Sequence, residues 1–316
     1  MTRIRLLSFA PAAFAGALAV AVGGLVADPL GAIRGAGEFS LRRSGARVEL
    51  FRGPSGERLR VWVAGPPGES VPVVLLHGLG AAGDYWARAA RSLVRSGRTV
   101  IIPDAPGSGE SEPPRDGEWG LGRRVEAVRT LAGALGLRRF DLVGHSLGGW
   151  TAARFAIDEP HQVHRLVLVD PGGFSSPLGD DERAFRRNLV PTDRAGGIRL
   201  LDLLFFRKPF PVAGFVADAV ARNYSSSTVA STVAGFRASD ALLGRESELP
   251  VGTVLIWGER ETLFPVVDAF ALLSRLRQGR LLVITGVGHD GPLEAPEAFE
   301  EALAAALEGR ALRNER

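Results

Sequence analysis

Short apolar runs alternate with longer mixed stretches along most of the chain. Eight of these runs are rich in β-branched and aliphatic residues and predict strands, at 47–52, 59–63, 73–76, 99–102, 141–143, 166–169, 254–257 and 281–284. The first two are separated by the turn residues Gly53-Pro54-Ser55-Gly56, which predict an antiparallel hairpin. The other six are almost continuously apolar, as expected of parallel strands covered on both faces.

Helical stretches lie between most of these strands. They are predicted at 85–96, 122–135, 148–157 and 266–276, and a further one follows the last strand at 296–307. Alternation of strands and helices favours an α/β fold with a doubly wound, mostly parallel sheet. We assign residues 46–170 and 251–308 to this sheet domain.

One connection is much longer than the others. About 80 residues separate the sixth strand from the seventh, whereas a plain α/β connection needs only a few residues beyond its helix. Four stretches within it are predicted to be helical, at 181–188, 198–207, 212–223 and 228–237. We therefore predict a helical cap at 171–250, whose phenylalanines either form its own core or wall a pocket for an acyl chain.

The N-terminal region differs in composition from the rest. Residues 6–27 carry no charge and follow two arginines, a pattern typical of a membrane anchor and also of a signal peptide. We expect 1–27 to be a signal anchor or a cleaved signal peptide, with a soluble tail as the third alternative. An anchor implies membrane association through residues 6–27. We thus expect a membrane-anchored or exported protein of a bacterial cell envelope rather than a cytoplasmic one. We predict a linker at 28–45 and a polar tail at 309–316.

Composition narrows the classes of function. The 316 residues include no cysteine, which excludes a disulfide framework, a thiolate nucleophile and cysteine-ligated zinc. Five scattered histidines do not predict a metal site, and no nucleotide-binding loop is present, so we expect no cofactor and no metal. The formal net charge is only +3, without a basic stripe for nucleic acid, so the expected partner is a small molecule.

The strongest chemical motif is Gly144-His145-Ser146-Leu147-Gly148. It follows a predicted strand and precedes a predicted helix, the context in which G-x-S-x-G forms a sharp, strained turn that exposes the serine hydroxyl. The helix N-terminus beside Ser146 also favours negative charge there. Ser146 is therefore the candidate nucleophile.

A serine nucleophile needs a base, and the candidate is His289 in the loop after the last predicted strand. The loops that follow parallel strands meet at one edge of the sheet, which is the edge where Ser146 is expected. An oxyanion hole needs two N–H donors. We predict the amide of Leu147, next to the nucleophile, and the amide of Leu79, in the loop after the third strand.

Five motifs together resemble those of the α/β-hydrolase family over roughly residues 46–308. They are HGLG at 77–80, PDAPGSGES at 103–111, GHSLGG at 144–149, WGERETLFP at 257–265 and GVGHDGPLEAPEAF at 286–299. The resemblance implies an α/β-hydrolase fold, with an eight-stranded sheet and an inserted helical cap. The N-terminal run and the compact cap are most similar to the branch that contains membrane-anchored monoacylglycerol lipases and bacterial lipases.

The family usually places the acid of its triad after the seventh strand, in a W-G-x-x-D pattern. Glu261 occupies that position here, and hydrolases of this fold use either acid. Three alternatives stay open: Glu259 in the same loop, Asp170 at the end of the sixth strand, and Asp290 beside the histidine. Asp290 is the poorest of them, because a residue seldom reaches the Nδ1 atom of its neighbour.

The resemblance implies a serine hydrolase of carboxylic esters, with acyl lipids such as monoacylglycerols as the expected substrates. Serine at the nucleophile position disfavours the epoxide hydrolases and dehalogenases of the family, which use aspartate there. Two alternatives stay open. The same triad can cleave C–C bonds in meta-cleavage products, or amides, and a protein of this fold can bind a ligand without catalysis.

Overall fold

The computed structural model describes residues 26–66, 71–174, 182–209 and 213–311. The predicted anchor or signal peptide lies outside these residues except for its last two positions, as does most of the predicted C-terminal tail. Among the helices of the described ranges, none combines the length and the hydropathy of a membrane span.

Eight strands form a single sheet in the described part of the chain. They are β1 Arg47–Arg52, β2 Arg58–Ala64, β3 Val73–Leu76, β4 Val100–Pro103, β5 Phe140–His145, β6 Val163–Val169, β7 Val254–Gly258 and β8 Arg280–Ile284. Their spatial order is β1-β2-β4-β3-β5-β6-β7-β8. β2 runs antiparallel to β1 and β4, and the other neighbouring pairs are parallel. The predicted hairpin and the predicted mostly parallel sheet are confirmed.

Helices cover both faces of this sheet and also form the long connection between β6 and β7. They are α1 Pro29–Arg43, α2 Ala87–Arg95, α3 Leu121–Ala134, α4 Leu147–Asp158, α5 Glu182–Leu189, α6 Arg194–Leu204, α7 Gly214–Tyr224, α8 Ser227–Ala234, α9 Val266–Leu273, α10 Gly291–Glu294 and α11 Pro296–Glu308. Val74 and Leu76 of β3 join the core under α3, α4 and α9, whereas Val73 and Leu75 join the core under α2 and α11. This alternation follows from the two-residue period of a strand, and it explains why a central strand such as β3 is apolar throughout.

The helix α1 lies where the sequence predicts a linker at 28–45, so that prediction is wrong. Asp28 caps the helix by accepting a hydrogen bond from the amide of Gly31 (2.9 Å). Pro29 occupies the first turn, where a missing N–H is tolerated. These start signals are present in the sequence, but the high glycine content of the segment outweighed them in the prediction.

Tertiary contacts hold α1 against the sheet domain. Leu41 is fully buried in the core under α2. Glu38 forms an ion pair with the buried Arg60 of β2 (2.7 Å). A Cβ atom at Gly37 would lie 2.9 Å from the carbonyl oxygen of Asp84, so glycine is needed for the close approach of the helix. Gly37 thus serves packing rather than flexibility.

The connection between β6 and β7 contains α5 to α8, within the range predicted for a helical cap. Helices α6 and α7 share a small apolar core made of Leu200, Leu201, Leu204, Phe205, Val216 and Val220. Leu30 of α1 packs against this core. The cap and the N-terminal helix therefore form a continuous wall above the edge of the sheet at which the parallel strands end.

Candidate active site

Ser146 lies in the turn between β5 and α4, with a φ of 54°. A positive φ is strained for a residue that carries a Cβ atom. The glycines of the motif make this turn possible. A Cβ at Gly144 would lie 2.2 Å from the carbonyl oxygen of Gly148, and one at Gly148 would lie 2.2 Å from that of Leu76. Backbone packing therefore requires both glycines, and the turn presents Ser146 at the N-terminus of α4.

His289 lies in the loop after β8 and is almost fully buried. Its Nδ1 atom is hydrogen-bonded to Oε2 of Glu261. Burial alone would lower the pKa of His289, but the negative charge of Glu261 and this hydrogen bond outweigh it and raise the pKa to about 9. Because a carboxylate can only accept, Nδ1 carries the proton in the neutral ring and Nε2 is the basic nitrogen.

Glu261 lies in the loop after β7 and is also buried. Its second oxygen, Oε1, accepts hydrogen bonds from the amides of Leu263 (2.5 Å) and Phe264 (3.2 Å). The loop backbone thus fixes one carboxylate oxygen and leaves the other for His289. This arrangement suits a carboxylate that orients the imidazole and stabilises its cation.

The three other candidate carboxylates have different partners. Oδ1 of Asp170 accepts from the amide of Gly258 (2.9 Å), and Oε2 of Glu259 accepts from the amide of Gly286 (2.8 Å). Oδ1 of Asp290 accepts from a tyrosine hydroxyl (3.0 Å). Of these four carboxylates, the one that is hydrogen-bonded to the ring of His289 is Glu261.

The loop after β3 lies directly against the candidate nucleophile, since a Cβ at Gly78 would be 3.2 Å from Cβ of Ser146. His77 begins this loop. Its Nε2 accepts from the amide of Ala105 (3.0 Å), so its Nδ1 carries the proton and donates to the carbonyl of Gly78 (2.8 Å). Burial, reinforced by the charge of Arg124, lowers the pKa of His77 to about 3. The neutral ring therefore connects two backbone segments and supports the loop that contains Leu79, the predicted oxyanion donor.

The cap also contacts this loop, which the sequence does not predict. The side-chain amide of Asn223 donates to the carbonyl oxygen of Gly80 (2.9 Å), and the hydroxyl of Tyr224 donates to that of Leu79 (3.0 Å). Gly80 has a φ of 72°, and a Cβ there would lie 2.7 Å from the Tyr224 ring. Two residues at the end of α7 thus fix the peptide groups on either side of Gly80.

His145 supports the loop that carries the candidate base, His289. Its Nε2 atom lies 2.9 Å from the carbonyl oxygen of His289 and donates to it. Its ring stacks on Tyr85 at a centroid distance of 5.1 Å and an interplanar angle of 18°. Burial lowers the pKa of His145 well below the usual range, so this contact is made by a neutral imidazole.

Ser146 and His289 line a cavity of about 400 Å³ beneath the cap and α1. Its apolar lining comprises Leu30, Ile33, Leu189, Leu200, Leu201, Leu204, Phe205, Val220, Leu263 and Leu293. Phe205 belongs to the cap core as well as to this wall, whereas Phe236 packs against Trp150 (5.2 Å between ring centroids). Within the described ranges, no cluster of His, Asp and Glu side chains has the arrangement of a metal site.

Comparison with known proteins agrees with this architecture. The model of the family described as "alpha/beta hydrolase fold" matches residues 71–296. The 2-hydroxymuconate semialdehyde hydrolase of Pseudomonas putida is 33% identical over 248 residues, which cover 73% of this chain and 85% of that protein. The monoacylglycerol lipase abhd6-A of Xenopus laevis is 24% identical over 249 residues, which cover 73% and 74% of the two chains.

A solved structure extends the similarity over nearly the whole chain. It is the crystal structure of a membrane phospholipase A, described as a novel bacterial virulence factor. The superposition covers 96% of this chain and 98% of that one, with a TM-score of 0.75 and 26% sequence identity. The predicted site residues are thus brought together in a fold shared with known hydrolases, while their catalytic roles stay predictions.

Proposed function

The chain belongs to the α/β-hydrolase family and is a hydrolase, and on that premise we propose that it is a serine hydrolase that cleaves carboxylic esters. The observation that carries the proposal is the buried pair of His289 and Glu261, whose histidine lines the same cavity as Ser146. A histidine whose tautomer is fixed by a carboxylate, lining the same cavity as a serine, is the arrangement needed to activate the serine hydroxyl once the ring is neutral.

The reaction proceeds through an acyl-enzyme. Oγ of Ser146 attacks the ester carbonyl while Nε2 of His289 takes its proton, and Glu261 stabilises the imidazolium that results. The amides of Leu79 and Leu147 hydrogen-bond the oxyanion of the tetrahedral intermediate. The intermediate collapses when the histidine returns the proton to the departing alcohol. Water, activated by the same histidine, then releases the carboxylic acid and regenerates the serine.

We propose an acyl lipid such as a monoacylglycerol as the substrate. The cavity wall made by the cap and α1 is predominantly leucine, isoleucine and phenylalanine, which suits an aliphatic acyl chain. Two proteins similar to this chain support the choice, since one is named a monoacylglycerol lipase and the other a membrane phospholipase A.

Cleavage of a C–C bond is the second candidate. It is favoured by the 33% identity to the 2-hydroxymuconate semialdehyde hydrolase, which is higher than the 24% identity to the monoacylglycerol lipase. Amide hydrolysis by the same triad is a further alternative. These reactions share the nucleophile and base and differ in the group that the cavity must accept.

A fluorophosphonate probe tests for the serine hydrolase. We expect the purified protein to be labelled, and Ser146→Ala to lose the labelling because the nucleophilic oxygen is gone while the fold is kept. Folded wild-type protein that resists the probe would contradict the proposal and favour a ligand-binding protein. Circular dichroism of both proteins controls for folding.

A substrate panel separates ester from C–C cleavage. It contains monoacylglycerols of several chain lengths, aryl esters, aryl amides and a 2-hydroxy-6-oxodienoate. We expect kcat/KM to be highest for an ester. If turnover of the dienoate exceeds that of every ester by an order of magnitude or more, the second candidate is the function.

We further propose that residues 6–27 tether the enzyme to a membrane of the cell envelope. Their uncharged sequence supports this, as does the similarity to a membrane phospholipase A. Fractionation tests it: the full-length protein is expected in the membrane pellet, and a variant that lacks residues 1–27 in the supernatant. Full-length protein in the supernatant would contradict the tether.

A further inference from the structure

Asp290 is a buried carboxylate that lines the catalytic cavity immediately after His289. It occupies the N-cap position of α10, where an aspartate side chain commonly accepts a hydrogen bond from the helix backbone. Here the side chain makes no such capping bond, and its Oδ1 atom accepts from the hydroxyl of Tyr85 (3.0 Å) instead. The carboxylate is thus directed away from the helix that it begins, towards a second side chain that also lines the cavity.

The Tyr85–Asp290 pair is connected by further contacts to the loop that carries His289. The ring of Tyr85 stacks on His145, and His145 donates a hydrogen bond to the carbonyl of His289. Through these contacts the carboxylate keeps a fixed position relative to the base. An ionised carboxylate offers lone pairs for about four hydrogen bonds and has no donor of its own, so it accepts further bonds from O–H or N–H groups.

The reaction itself indicates which part of the substrate meets this pair. His289 returns its proton to the departing alcohol, so the alcohol must lie on the side of the reacting carbon that faces His289. The oxyanion lies on another side, at the amides of Leu79 and Leu147. A residue that directly follows His289 and lines the same cavity therefore adjoins the alcohol rather than the oxyanion.

We propose that Asp290, oriented by Tyr85, forms a subsite that accepts a hydrogen bond from a free hydroxyl on the alcohol portion of the ester. The preferred substrates are then monoesters of polyols, with the remaining hydroxyls next to the ester oxygen. This inference depends on the proposed ester hydrolysis and specifies its leaving group. It makes Asp290 a specificity-determining residue and gives it no part in proton transfer.

The charge of the subsite is consistent with this assignment. Burial raises the pKa of Asp290 to about 6, although the nearby His289 and the Tyr85 hydroxyl act to lower it. The carboxylate is therefore ionised at neutral and higher pH, where it accepts hydrogen bonds and repels an anionic leaving group. A neutral polyol meets both conditions.

The test compares two esters of one fatty acid, the 1-monoacylglycerol and the n-propyl ester, which differ only in two hydroxyls. We expect the wild-type protein to prefer the glycerol ester in kcat/KM. In Asp290→Ala that preference should fall by about tenfold or more, since hydrogen bonds to charged groups are the stronger ones. Tyr85→Phe should shift the preference in the same direction by less, because the carboxylate remains but loses its orienting donor.

Glu294→Gln is the matched control. The Glu294 carboxylate accepts from the amides of Gly288 and Phe206, so it supports the His289 loop from outside the cavity. This change should alter turnover of both esters equally and leave their ratio unchanged. If Asp290→Ala still hydrolyses both esters and the ratio of their kcat/KM values is unchanged, the proposed subsite is wrong while the proposed ester hydrolysis stands. A wild type that hydrolyses neither ester and resists the fluorophosphonate would overturn the proposed function instead.

Discussion

The loops at the edge of the sheet and the helices that enclose the cavity form one site from two unlike kinds of sequence. The loops carry Ser146, Glu261 and His289, each in a motif directly after a strand. The helices α1, α6 and α7 contribute mostly leucine and other apolar residues without a motif. The difference shows that local motifs bring the candidate catalytic residues to one edge of the sheet, whereas tertiary packing sets the shape of the cavity.

Neutralising Glu261 is expected to have the largest effect on turnover among the changes considered below. Glu261→Gln keeps the size of the side chain but removes the charge that fixes the tautomer of His289. We expect kcat to fall by about 10⁴-fold, the scale seen when the acid of a serine hydrolase triad is replaced by its amide. Steady-state kinetics on an activated aryl ester, with an unfolding curve for each protein, measures it.

Asp170→Asn is the matched comparison. The asparagine oxygen still accepts from the Gly258 amide, so we expect turnover to fall by less than about tenfold. Glu259→Gln, in the same loop as Glu261, should have little effect. If Asp170→Asn is the more damaging change, the acid of the triad comes from the loop after β6.

The pH dependence of kcat/KM also tests whether Glu261 is the carboxylate that acts on His289. The proposed base, His289, can act only when its ring is neutral. Burial lowers its pKa, but the charge and hydrogen bond of Glu261 outweigh burial and raise it to about 9. Activity should therefore rise with pH, with an inflection above the ordinary histidine value. In Glu261→Gln the charge is lost, so the inflection should move to lower pH even though the maximal rate is smaller. An inflection that does not move would show that another group controls this ionisation.

The residues of the catalytic loops are predictable because their motifs follow from steric rules. The backbone oxygens next to Gly144 and Gly148 leave no room for a Cβ, and a strand-to-helix turn around a serine has few other solutions. The acid is less predictable, since both Glu261 and Asp170 follow strands that end at the same edge. Only the folded structure shows that Asp170 is bonded to the Gly258 amide and that Glu261 is bonded to His289.

The four cap helices were predicted, but the contacts that the enclosing helices make with the rest of the fold were not, for a different reason. Asn223 and Tyr224 meet the loop after β3 across about 140 residues of chain, and no local pattern records such a contact. The glycines of α1 suggested a linker, although Gly37 is required by the close approach to Asp84. In both cases the residue is needed for a contact with a distant part of the sequence.

Removing a contact between the cap and the loop after β3 is expected to have an intermediate effect on turnover. Tyr224→Phe removes the hydrogen bond to the carbonyl of Leu79, whose amide is the proposed oxyanion donor. We expect kcat to fall by up to about tenfold with little change in KM, because the donor is needed most in the transition state. Affinity for a trifluoromethyl ketone inhibitor, which mimics the tetrahedral intermediate, should fall in parallel.

Thr232→Val is the control for a purely structural effect of the cap. Its hydroxyl donates to the carbonyl of Thr228 within α8 (2.8 Å), so the change also removes one partly buried hydrogen bond from the cap. We expect a similar loss of stability, but unchanged kcat and inhibitor affinity. Equal kinetic losses in the two variants would mean that the cap acts only through its overall stability.

The smallest effect on activity is expected for a change in α1. This helix lines part of the cavity, but it lies outside both the cap and the loop motifs. Ile33 lines the cavity while 47% of its surface is exposed, so truncation to alanine removes only part of a buried side chain. We expect Ile33→Ala to lower kcat/KM by about two- to fivefold for long acyl chains and to leave short chains unaffected, as follows from roughly 0.8 kcal/mol per buried methylene. Phe39→Ala, on the same helix but 62% exposed and outside the cavity lining, is the control. If the wild type, Ile33→Ala and Phe39→Ala are equally active at every chain length, α1 does not contribute to acyl-chain binding. The cap alone would then form the wall that contacts the acyl chain.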